Sequence, residues 1–104
     1  MPYCMIITTL PDRIAAQTIA KHLVKKNLAA CAQLSEIESF YMWKEKVEQE
    51  PEIRLVIKTS VESYDAVVAW ITENHPYDVP QIVRVDIAAV SQKYGEWLNE
   101  VLAG

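Results

Sequence analysis

Two switches of hydrophobic period predict an α+β fold in the element order β-α-β-β-α-β-α. Short apolar runs give way to spacing of three and four residues, then to alternation, and then the cycle repeats. The chain has 104 residues, 51% of them hydrophobic and 23% charged, which suits one globular domain over 1–104. No repeat, linker or low-complexity tract divides it.

Tyr3–Thr9 is rich in apolar and β-branched residues and stops before Leu10-Pro11, reading as a buried strand. Asp12 follows as an N-cap, its carboxylate able to accept the free N–H groups of a helix. That helix carries Ala16, Ile19, Ala20, Leu23 and Val24 on one face, with Lys25 and Lys26 at the cation-favouring end. Asn27 suits a left-handed stop. From Ala30 to Thr59 the period becomes two. Cys31–Trp43 and Val47–Thr59 read as antiparallel partners turning at Lys44-Glu45-Lys46, and Pro51 requires an edge position or a bulge.

Ser60 is a candidate cap for a second helix whose inner face is Tyr64, Val67, Val68 and Ile71. Pro76 disfavours helical backbone at His75 and ends it at Asn74-His75. Ile82–Ala88 reads as a last strand, and Ser91 opens a final helix facing inward with Tyr94, Trp97, Leu98, Val101 and Leu102. This order is the split-βαβ, ferredoxin-like plan with a C-terminal helix added. Right-handed crossovers put the first strand beside the third and fourth and leave the second at an edge.

The hairpin is long for its body. A compact domain of this size has a radius of gyration near ~13 Å and is some 35 Å across, whereas Cys31–Trp43 extends about 43 Å at ~3.3 Å per residue. Its tip carries Phe40, Tyr41, Met42 and Trp43 in succession. Either the hairpin folds back and these side chains complete one chain's core, or another chain covers them. Association is the expectation.

Other classes are disfavoured. A net charge of −4 with no basic cluster beyond Lys25-Lys26 gives nucleic acid no footing. No apolar run spans a bilayer, and Met1–Thr9 lacks the pattern of a secretory signal. With two cysteines, this points to a reducing, cytoplasmic setting with free thiols. The only glycines, Gly95 and Gly104, supply no phosphate-cradling loop. Neither a nucleophile elbow nor a zinc-type ligand spacing occurs, so an enzyme is not expected.

Several blocks together resemble the CutA divalent-cation-tolerance family. They are Leu28-Ala29-Ala30-Cys31, Ser39-x-Tyr41-x-Trp43, Ile57-Lys58-Thr59, His75-Pro76-Tyr77-x-x-Pro80 and Tyr94-x-x-Trp97-Leu98. The resemblance implies a ferredoxin-like fold, a cytoplasmic homotrimer with strand pairing between subunits, and a role in tolerance of divalent metals, copper especially. It also implies kinship with the trimeric PII signalling proteins. Three positions depart from the family pattern. Glu45 stands where a glycine is common in the arm turn, Gln81 where an acidic residue follows the HPYxxP block, and Thr8 where some members carry a metal-linked cysteine.

Each candidate group has a plain structural alternative. His75 is the candidate metal ligand, for copper or another divalent cation held weakly, or else it shapes the turn at Pro76. Cys31 is a thiolate ligand or a small buried hydrophobe, and a Cys4–Cys31 disulfide is disfavoured because their strands are not neighbours. Cys4, Met1 and Met5 offer soft sulfur or fill the core. Glu48, Glu50 and Glu52 share a strand face, where they hold hard cations or form a solvated edge. Trp43, Lys58, His75 and Tyr77 could line an intersubunit cleft for a small anion or metabolite, with no cofactor required. The alternative there is a packed interface.

Overall fold

The computed structural model describes residues 2–104. The strands are β1 (Tyr3–Leu10), β2 (Cys31–Trp43), β3 (Lys46–Ser60) and β4 (Val83–Ile87), and the helices are α1 (Arg13–Lys25), α2 (Tyr64–Asn74) and α3 (Gln92–Ala103). The sheet runs β2-β3-β1-β4 with every neighbouring pair antiparallel. This is the ferredoxin-like α+β arrangement, with β1 and β3 central and β2 at an edge.

Period two sorts the sheet into two unlike faces. Cys4, Ile6, Thr8 and Leu10 of β1 align with Thr59, Ile57, Leu55 and Ile53 of β3, and all eight are buried. They form the main core with Ala16, Ile19 and Leu23 of α1 and with Val67 and Ile71 of α2. Each fully buried Leu or Ile there contributes ~1.5–3 kcal/mol. The other face carries Met5, Ile7, Val56, Val83 and Val85 in mutual register, and no helix lies over its middle. Val83 and Val85 are 43% and 41% exposed. The helix α3 covers only one end, where Leu98 packs on Tyr3 and Ala30 with Ile87 and Tyr94 around them. Tyr3 Oη donates to the Gly95 carbonyl at 3.1 Å and also bonds to Asn99, while Asn27 Nδ2 donates to the Val101 carbonyl at 2.9 Å.

The local signals explain the element ends. Asp12 Oδ1 accepts the Ala15 N–H at 2.8 Å, and Asn27 takes the left-handed conformation with φ 58°. His75 has φ −85° and ψ 138°, extended as a residue before proline should be. Ser91 Oγ accepts the Tyr94 N–H at 3.4 Å. Several details differ from expectation, beginning with strand ends: β1 runs one residue longer, to Leu10, and β4 is one residue shorter at each end, Val83–Ile87. Val24 is 40% exposed, because it lies ~100° around the helix from buried Leu23. Ser60 makes no capping bond, since a 3-10 turn over Val61–Ser63 intervenes and its Oγ lies 3.1 Å from Ser63 Oγ. Tyr64 and Val68 are half-buried beside fully buried Val67 and Ile71, and Trp97 is 42% exposed on the rim of α3. The hairpin partner starts one residue earlier and ends one later than the alternation suggests.

The hairpin stands out from the body. The molecule measures 46 × 25 × 21 Å with a radius of gyration of 14.5 Å, so the arm does not fold back. Its ladder runs unbroken from Cys31↔Lys58 to Trp43↔Lys46. Pro51 pairs with Glu38, but β1 ends opposite Ile53, so β3 has a single neighbour there. Pro51 therefore occupies a local edge without a bulge, as a residue lacking an N–H must. The two-residue turn holds Lys44 at φ 48° and Glu45 at φ 67°, the doubly left-handed form of tight hairpins. A side chain there is strained. Glu45→Gly is expected to raise stability by ~1 kcal/mol and Glu45→Val to lower it, read from denaturant midpoints at one protein concentration.

Candidate functional site

Beyond Ile53 the uncovered sheet face continues along the arm, and its character changes. Glu48, Glu50 and Glu52 point to that face, opposite Tyr41, Ser39 and Ile37. The turn after α2 rises beside them. Together they enclose a groove of about 990 Å³ lined by Phe40, Tyr41, Trp43, the three glutamates, Tyr77, Asp78 and Val79, with Thr9, Ser39, Pro76 and Gln81 at its floor and margins. The four carboxylates of the lining face four aromatic rings, and none of the described lining residues is Lys, Arg or His.

His75 fixes the turn from behind. Its Nδ1 accepts the Tyr77 N–H at 3.1 Å, which places the ring proton on Nε2, 2.9 Å from the Thr9 carbonyl that it serves. Tyr77 then donates its Oη to Glu52 Oε2 at 2.8 Å, tying the turn to β3. Burial, and after it the bond to Glu52, pushes the Tyr77 phenol well above its usual range. Tyr41 is raised as well, first by the neighbouring Glu50 carboxylate. Neutral phenols beside ionised carboxylates are the stable combination here.

Burial holds His75 below the ordinary imidazole value of 6.5, against the opposing pull of the Thr9 carbonyl and Glu52. The unfolded chain therefore takes up a proton at this residue before the folded one does. Stability is full above pH 6.5 and falls as pH drops below it, because a second ring proton removes the acceptor of the Tyr77 N–H. The urea midpoint should decline between pH 7 and pH 5, and less steeply in His75→Gln. Equal slopes would remove His75 from the account.

The candidate residues separate into two places. Trp43 and Tyr77 share the groove, and His75 buttresses it from the backbone side. Lys58 does not line it. It lies ten positions along β3 from Glu48, ~33 Å by strand rise, with Nζ 5.5 Å from the centre of the Tyr94 ring. Cys31 sits there too, half-buried, its Sγ 3.7 Å from Tyr94 Oη. The thiols of Cys4 and Cys31 are both free. Asp78 is the lining carboxylate that sequence reading passes over, since nothing but its place between Tyr77 and Pro80 marks it.

A soft divalent metal does not fit the candidate ligand. Both nitrogens of His75 serve backbone groups, so coordination would break the turn. Among the described residues, no three His, Cys, Asp or Glu side chains converge as a metal site. Thr8 faces the helices from β1, fully buried, on the opposite side of the sheet from the groove. Of the soft sulfurs, Cys4 is buried in the core, Met5 lies half-buried on the open face, and Met1 is outside the described residues.

The family model for the CutA1 divalent ion tolerance protein matches residues 4–101. The chain belongs to the CutA1 family. The CutA divalent-cation tolerance protein of Pyrococcus horikoshii is 40% identical over 96 residues, covering 92% of this chain and 94% of that protein. Its counterpart in Thermus thermophilus is 35% identical over 97 residues, 92% and 94% of the two chains. The solved structure of CutA from Synechococcus elongatus superposes with a TM-score of 0.94 at 33% identity, covering 97% of this chain and 90% of that one. The CutA1 match thus spans the arm, the HPYxxP turn and most of α3, and the ferredoxin-like assignment agrees with it.

Proposed function

We propose that the protein acts in divalent-cation tolerance as a homotrimer whose subunits meet through the open sheet face and the arm. The observation that carries this reading is the uncovered apolar strip of Met5, Ile7, Val56, Val83 and Val85, continuous with an arm exposed on both sides. A sheet with one bare apolar face lacks its second layer, and a further copy supplies it. The number three comes from the family resemblance. Two cysteines left as free thiols support a reducing compartment such as the cytoplasm. No catalytic role is assigned.

Light scattering at micromolar concentration should give three times the chain mass of 11.9 kDa. A stable monomer mass would refute the assembly. Copper is assigned no site in one chain. Calorimetric titration with Cu(II) and Cu(I) should give binding no tighter than a protein of similar charge, unchanged in His75→Ala. Tight binding lost in that variant would restore His75 as a ligand. A second reading, a PII-like sensor of a small ligand, is supported by the groove of about 990 Å³.

A further inference from the structure

We propose that copies of this chain meet head to tail around a ring, the carboxylate row on each arm seated on Lys58 of the next copy. The proposal deepens the homotrimer reading, by fixing which end of the open sheet face meets which, and rests on it.

The open face is electrically lopsided along its length. Glu48, Glu50 and Glu52 share it at the arm end, with Asp78 beside them in the groove. Lys46 and Arg54 flank this row along β3 without lining the groove. The uncharged strip of Met5, Ile7, Val56, Val83 and Val85 follows. At the body end stands Lys58, half-buried, aligned with Met5 on one side and Cys31 on the other. Its Nζ lies 5.5 Å from the centre of the Tyr94 ring.

Neither end is neutralised within the chain. The ion pairs among the described residues are Arg13–Glu36 and Arg84–Asp86, so the row and Lys58 take part in none. Nor can the two ends meet in one copy. Lys58 is eight positions from Glu50 on an unbroken strand, ~26 Å by strand rise. The arm also projects from a molecule 46 Å long and 25 Å wide, which carries the row towards a neighbour.

Covering the face turns this layout into a constraint. A copy laid over the apolar strip withdraws water from both ends, and a charge covered without a counter-charge is costly. Like ends together would set carboxylates against carboxylates. Unlike ends give each charge its partner. Repeated around a ring, each copy lends its arm to one neighbour and receives the arm of the other on Lys58.

Charge reversal in the full chain tests this, with mass followed by light scattering through a dilution series. Lys58→Glu and Glu50→Lys are each expected to raise the dissociation midpoint about tenfold. The two together should return it to within about twofold of the unmodified chain. In one chain the two positions lie well beyond the ~10 Å screening length at 0.1 M salt, so rescue arises only between copies. Circular dichroism checks folding. Should Lys58→Glu fail to fold, Lys58→Gln and Glu50→Gln replace the reversals, and a combined loss no larger than either single one supports the pairing. Unchanged midpoints in both single variants, or losses that multiply in the double one, overturn it. So does a mass of two chains, the product of two antiparallel faces. A threefold oligomer that ignores both reversals rejects the head-to-tail contact and leaves the homotrimer reading standing. A monomeric unmodified chain rejects both.

Discussion

Replacing Phe40 with Ser and Met42 with Thr is expected to abolish self-association at micromolar concentration while leaving the body folded. Phe40, Met42 and Val47 are 61%, 64% and 69% exposed in the single chain, Met42 and Val47 on the arm face opposite the groove and Phe40 at the groove's border. Covering two such side chains is worth ~1.5–3 kcal/mol each, and a threefold assembly forms the contact three times. The monomer should keep its far-ultraviolet circular dichroism, because the arm tip lies beyond the last contact of β1 with β3 at Leu10↔Ile53. Retention of the native mass would mean that the open sheet face alone holds the copies together. Unfolding of the variant would mean that assembly and folding are inseparable here.

Leu55→Ala should cost about 3 kcal/mol of unfolding free energy, with a range of ~2–5. Leu55 is fully buried in the middle of the sheet, aligned with Thr8 on one side and Leu34 on the other. A cavity there opens between two strands and cannot collapse without moving both. Thr8 supplies the contrast. Its Oγ1 is buried without a hydrogen-bond partner among the described residues, so Thr8→Val keeps the shape and removes an unsatisfied hydroxyl. That change should stabilise by ~1 kcal/mol. Both shifts are read from denaturant midpoints at one protein concentration, and a destabilised Thr8→Val would show that the hydroxyl is satisfied within the core.

Much of this fold was legible because each boundary has a local chemical cause. Asp12, Asn27, His75-Pro76 and Ser91 mark their element ends through bonds or dihedral restrictions acting within a few residues. Ser60 misleads because a 3-10 turn and a helix begin with the same residue preferences. Val24 misleads because the edge of an apolar stripe is decided by what packs beside it. The groove was half legible. Alternation placed the three glutamates on one face, and the HPYxxP block marked the turn. Their meeting depends on which sheet face the turn climbs over, a long-range fact that periodicity does not carry. Lys58 shares the face of the glutamates but sits at the far end of β3, away from the groove of the single chain.

The unbroken ladder of the arm carries an implication for its variation. Glu48, Glu50 and Glu52 reach the groove only because an even number of residues separates them along a strand of period two, in register with Tyr41 and Ser39. Inserting one residue in the turn and sliding the strand to match would carry every carboxylate to the other side and bring Val47, Gln49 and Pro51 into the cavity. The arm can therefore lengthen or shorten only in steps of two while keeping its chemistry. Parity, more than the identity of the turn residues, is what natural and engineered variants of this hairpin must respect.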